Sequence, residues 1–95
     1  MNTSEFISIE KEAIASLHFP GEEVLRSEDE RSQRRGSIDR AISLGNLEHS
    51  KVKIYFADDS GGKLVNTTIW AVTDEAILLK QNVVLPIRRI IKLEI

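Results

Sequence analysis

The chain has 95 residues, of which 41% are hydrophobic and 29% charged, and it carries a formal net charge of −2. That length allows one domain with a modest core, and the composition is that of an ordinary globular protein rather than a disordered or fibrous one. The absence of cysteine excludes disulfides, thiolate-liganded zinc and thiol catalysis, and the small net charge gives no global field toward nucleic acid or acidic lipid.

The opening MNTSEFISIEKE lacks a basic segment followed by an apolar run, so it does not read as a signal peptide. The longest apolar runs fall well short of the about 20 residues that cross a bilayer. The expectation is therefore a cytoplasmic protein with no membrane partner. Charge is unevenly spread. Residues 1–50 hold six Lys/Arg against ten Asp/Glu, and residues 51–95 hold seven against five. The reading is a single domain over 1–95: a helical N-terminal part to residue 50, then a slightly basic β part over 51–95.

Phe6 to Ile9 suits a short strand or a helix entry. Glu10 to Leu17 fits a short helix through Ile9, Ala13, Ile14 and Leu17, ended by Pro20-Gly21. Ser27-Glu28-Asp29-Glu30 is a capping box: the Ser27 hydroxyl accepts from the Glu30 amide while Glu30 reaches back, and the acidic first turn suits the helix dipole. From there the pattern predicts a helix to Leu44, stopped by Gly45 in a left-handed conformation. Gly36 interrupts it at a cost of about 1 kcal/mol, and Ser37 offers a fresh cap. Residues 26–36 contain no apolar side chain, so this stretch is expected to be a solvated extension or disordered.

Beyond Lys51 the period changes to two. Val52, Ile54 and Phe56 are predicted to face a core, and Lys51, Lys53 and Tyr55 the opposite side. Asp58-Asp59-Ser60-Gly61-Gly62 reads as a hairpin turn. Leu64 to Thr73 is one long strand bent at its middle, and Asp74-Glu75 turns the chain. Ala76–Lys80 and Val83–Leu85 form a hairpin about Gln81-Asn82. Pro86 cannot donate to a ladder and ends the strand. Ile87 to Ile90 suits a 3₁₀ turn, and Ile91, Leu93 and Ile95 alternate in a last strand. The predicted class is α+β, with N-terminal helices before a five-stranded, strongly bent antiparallel sheet closed into a small barrel.

From about Ile38 to Ile95, the element order, the Asp58-to-Gly62 hairpin and the Leu85-Pro86-Ile87-Arg88-Arg89-Ile90 corner resemble the Sm-like or SH3-like small barrel. Leu44-Gly45-Asn46 and Thr67-Thr68-Ile69-Trp70-Ala71-Val72-Thr73 are similar to segments shared by a family of short bacterial proteins, a resemblance that implies no particular activity. Sm proteins hold RNA with two loops. Ile87-Arg88 resembles half of the second, but Arg89 replaces its glycine, and Asp74-Glu75 does not supply the first. The bacterial Rho-inhibitor class resembles the same helix-plus-barrel layout and implies a protein partner.

Six residues stand out as a candidate interaction surface: Trp70, Arg88, Arg89, Lys51, Lys53 and Tyr55. Trp70 reads first as a core residue closing a barrel end, and as an interface anchor if exposed. Arg88 and Arg89 at a barrel corner can grip a carboxylate or phosphate, or stay solvated. Lys51, Lys53 and Tyr55 share one strand face, on which a base could stack while lysines hold phosphates; the plainer reading is a solvated or helix-covered face. Arg31, Arg34, Arg35 and Arg40 could bind phosphate, but the acids at helical spacing make intrahelical pairing the simpler reading. His18 and His49 lie far apart with no ligand spacing, and a metal site would need carboxylates such as Glu48 or Asp58 to complete it. Gly61-Gly62-Lys63 lacks the spacing of a phosphate loop. No metal, cofactor or small-molecule substrate is indicated, and an enzyme is not expected. The leading expectation is a non-catalytic module that binds a protein or itself, with RNA or single-stranded DNA as the alternative.

Overall fold

The computed structural model describes residues 6–48 and 51–95, with side chains described for 6–43 and 51–95. Seven strands and one long helix follow in chain order: β1 (Ile7–Ser8), α1 (Glu28–Glu48), β2 (Val52–Ala57), β3 (Gly62–Thr67), β4 (Ile69–Val72), β5 (Ala76–Leu79), β6 (Val83–Pro86) and β7 (Ile90–Glu94). Short 3₁₀ turns occupy Lys11–Ser16 and Ile87–Arg89. The strands form a mixed sheet ordered β1-β3-β2-β7 and an antiparallel sheet ordered β4-β5-β6. The α+β class is as expected. The closed five-stranded barrel is not: the strands make two open sheets.

Thr68 separates the two sheets. The long strand expected over Leu64–Thr73 breaks there, so β3 belongs to one sheet and β4 to the other. Between the sheets lies a core built on Ile54, Phe56, Val65, Ile69, Ile77, Leu79, Leu85 and Ile90. A β-bulge between Tyr55 and Phe56 shifts the register of β7. It puts Ile90 and Leu93 in the core while Ile95 is exposed, so the simple Ile91–Leu93–Ile95 alternation does not hold.

The helix begins as its capping box predicts. The Glu30 amide donates to Ser27 Oγ at 3.1 Å, and Ser27 Oγ and the Ser27 amide both donate to Glu30 Oε1, at 3.0 and 3.4 Å. It then runs through Gly36 without a second cap at Ser37, and past Gly45 to Glu48. A single exposed glycine costs too little to break a helix anchored on both sides. Residues 26–36 are neither disordered nor wholly solvated. Arg34 is buried, one turn before Ile38 and two turns before Ala41, and the helix packs against β4 and β7 through this face.

The N-terminal segment returns to the sheets. β1 pairs parallel with β3, and the Ile9 amide donates to the Leu64 carbonyl at 2.8 Å. The helix expected over Glu10–Leu17 is a 3₁₀ turn that buries Ile14 and packs beside β6. Two turns match expectation. Asp58 Oδ1 accepts from the amides of Ser60 and Gly61 at 2.9 and 3.0 Å, which fixes the β2–β3 hairpin. Gln81 and Asn82, both with positive φ (65° and 63°), make the two-residue turn between β5 and β6, whose twist suits a hairpin. No described helix is long and apolar enough to cross a membrane.

Candidate interaction surface

The β4-β5-β6 sheet has one buried face and one partly exposed outer face, and the pairing assigns every residue but Trp70 to a side. Ile69 pairs with Leu79 and Leu79 with Val83; Val72 pairs with Ile77 and Ile77 with Leu85. All six belong to the core or pack against it. Because successive side chains alternate between faces, the outer face carries the remaining residues. Ala71 pairs with Leu78 and Leu78 with Val84, while Ala76 pairs with Pro86. Those five and Trp70 are all apolar, and none is part of the core cluster. Trp70 is 56% exposed and Val84 56%.

Trp70 reaches this face through a bulge. The register of β4 on β5 slips between Ile69 and Ala71, so one extra residue turns outward and Trp70 joins Ala71 on the bare side. The core position foreseen for Trp70 is taken by Ile69, which is 2% exposed. A tryptophan left in water offers a large apolar area and one indole N–H, the profile of an interface anchor.

At the same end of the sheet lies a cleft of about 360 Å3, lined by Glu10, Lys11, Lys51, Asn66, Thr67, Thr68, Trp70 and Lys80. Its three lysines come from three parts of the chain. Lys11 pairs with Glu12 at 2.9 Å, whereas Lys51 and Lys80 make no ion pair among the described residues. A shallower groove continues along Lys51, Lys53, Asn66 and Glu94 to Ile95. At the opposite end of the β4–β5 hairpin the turn is rigid and acidic. Thr73 Oγ1 accepts from the Glu75 and Ala76 amides at 3.3 and 3.0 Å, and Asp74 and Glu75 stand exposed.

The six residues singled out in the sequence do not form one site. Trp70 and Lys51 meet at the cleft, with Lys53 in the adjoining groove. Tyr55 is 5% exposed: Phe6 meets its ring edge-on at 5.0 Å, and the Lys92 ammonium sits 4.8 Å from its centroid. The Glu94 carboxylate, with burial, raises the Tyr55 pKa. No base can stack on a ring so covered. Arg88 and Arg89 are structural clamps. Arg88 Nε donates to the Pro20 carbonyl, and Arg89 donates from Nε to Ala57 and from Nη1 to Glu22, each at 3.0 Å. They stitch residues 20–22 to the β6–β7 corner.

The helix arginines likewise do not pair as their spacing suggested. Arg34 reaches Glu23 with both terminal nitrogens, at 2.8 and 2.5 Å, and donates to the Ile90 carbonyl at 2.9 Å. Its Nε is buried with no hydrogen-bond partner among the described residues. Arg31 donates to the Leu25 carbonyl at 3.2 Å. Partial burial pushes the Glu23 pKa up, but the Arg34 contacts and the Leu25 amide outweigh it and hold the carboxyl below its ordinary value. Asp58 behaves alike: burial raises it, and bonds from Ser60 and Lys63 lower it further than burial lifts it. Among the described residues no three acids or histidines cluster to hold a metal ion. His18 is exposed, and His49 lies outside the described residues.

Lys11, Lys80 and the bare sheet face were not foreseen from the sequence, although a signal for the face was there. Ile69–Val72, Ala76–Leu79 and Val83–Pro86 are apolar throughout instead of alternating. In antiparallel strands that pattern means both faces are to be covered. Comparison with known protein families, characterised proteins and solved structures finds no match to this chain.

Proposed function

We propose that the protein is a non-catalytic interaction module whose docking surface is the outer face of the β4-β5-β6 sheet. One observation carries the reading: six apolar side chains line the face turned away from the core, with Trp70, Ala71 and Val84 exposed and Ala76, Leu78 and Pro86 half-buried among the described residues. Contiguous exposed apolar patches of this kind mark protein contacts. A polar, charged rim at the lysine cleft and the Asp74-Glu75 turn gives the layout expected of an interface, with an apolar centre and a polar edge. The nucleic-acid reading draws less support, because Tyr55 is covered and both corner arginines are committed to backbone carbonyls.

We further infer that the wiring is that of an Sm-like or SH3-like small barrel. Support comes from β3 running into β4 across the single residue Thr68, and from the 3₁₀ turn at Ile87–Arg89 between β6 and β7. Fold likeness of this kind does not by itself give function.

The test compares proteins captured by wild-type chain and by a Leu78→Lys variant. Leu78 is on the outer face and outside the core cluster, so the variant keeps its core. At least one protein held by wild type is expected to be lost. Identical captured sets would end this reading.

A further inference from the structure

We infer that the occupant of the bare sheet face is a second copy of the same chain, related by a two-fold axis that passes near Leu78. This rests on the reading of that face as a docking surface. Three features placed along one strip make the strip complementary to itself. At one end is a concave cleft with Lys51, Lys80 and the Trp70 ring, in which the lysines outnumber the one acid, Glu10. In the middle is the apolar row Ala71–Leu78–Val84. At the other end is an exposed acidic turn, Asp74-Glu75, whose backbone amides at Glu75 and Ala76 bond to Thr73 Oγ1. Four residues of strand separate the ends, roughly 13 Å at about 3.3 Å per residue.

A two-fold axis lying in the interface plane, at right angles to the strip's length, sends each end onto the opposite end of the partner, since in an isologous contact a residue that meets a second one on the partner is met by it in return. The acidic turn of one protomer then enters the lysine cleft of the other, and the reverse happens at the far end. The two apolar rows meet between them. Charge balance agrees. Lys51 and Lys80 make no ion pair among the described residues, while Lys11 is already paired with Glu12. On the acidic side, Asp74 and Glu75 share a groove with the Glu23–Arg34 pair and with Arg88, which makes no ion pair among the described residues, so an excess of negative charge remains. The strip also explains why a tryptophan is bulged outward at this one place: it forms the cleft wall against which the partner's turn packs.

The test uses the full chain and two charge-reversed forms, Lys51→Glu/Lys80→Glu and Asp74→Lys/Glu75→Lys, studied by sedimentation from micromolar to millimolar concentration. All four positions are exposed. Wild type is expected to dimerise. Each reversed form alone sets like charges together at both ends and should lose at least about tenfold in association constant. An equimolar mixture of the two reversed forms restores opposite charges at both ends and should recover the dimer. Should a double reversal fail to fold, the single changes Lys80→Glu and Glu75→Lys give the same mixing experiment. A wild type that stays monomeric at millimolar concentration overturns the inference. So does a dimer indifferent to both reversals, or reversed forms that stay monomeric when mixed. A monomeric wild type that still captures another protein in a Leu78-dependent way removes the second copy but leaves the docking face standing.

Discussion

Arg34 ties three distant parts of the chain together. Its guanidinium leaves α1, grips Glu23 in the connecting segment and supports the Ile90 carbonyl at the start of β7. Breaking such a pair strands a buried charge, which costs several times what an exposed ion pair contributes. Glu23→Gln is therefore expected to destabilise the fold by about 2 kcal/mol or more. The pH dependence has a definite sign. The folded pKa of Glu23 is depressed, so its stabilisation is full above the ordinary carboxyl value of 4.5 and is lost as pH falls through the lower folded value. Urea midpoints measured from pH 7 down to pH 3 should drop for wild type at the acid end. In Glu23→Gln that drop should be shallower. Equal slopes for the two proteins would mean the pair contributes nothing.

Among the elements, α1 is the one whose limits the sequence misplaces most. Its start is legible because Ser27 and Glu30 are a local motif that needs only each other. Its continuation is not legible, because the anchors that carry it through Gly36 are Glu23 and Ile90, and Ile90 lies 56 residues from Arg34. A side chain beginning at residue 36 would meet nothing within 4 Å. Gly36→Ala should therefore raise stability by about 1 kcal/mol, and Ser27→Ala should lower it by about the same amount. Thermal denaturation of both variants checks the pair. A neutral or destabilising Gly36→Ala would show that the glycine serves a contact.

For the whole molecule, the strand positions, hairpins and 3₁₀ corner were readable because turn chemistry and period-two patterning are local. The division into two open sheets was not, because it depends on a break at Thr68 that no residue type announces. The sequence left Trp70 open between core and surface for a related reason. A bulge changes which residue faces inward, and only the pairing of Ile69 with Leu79 and Ala71 with Leu78 reveals it. Neighbours on β6 test the face assignment directly. Val84→Lys, on the outer face, should change stability by no more than about 0.5 kcal/mol. Leu85→Ala, 0% exposed in the core, should lose about 3 kcal/mol. Comparable losses at both positions in chemical denaturation would place Val84 inside.

The return of the N-terminal segment to the sheets sets an order of events during synthesis. Ile9 bonds to Leu64, Val24 to Arg88, and β1 to β3. These residues thus have partners that are made only much later in synthesis than they are. Such distant pairings close slowly, and unsatisfied apolar segments are open to aggregation while they wait. Ile9, Ile14 and Leu17, which end up against the core, spend that interval in water, with Glu10, Lys11 and Glu12 between them as the charges that keep the nascent segment in solution.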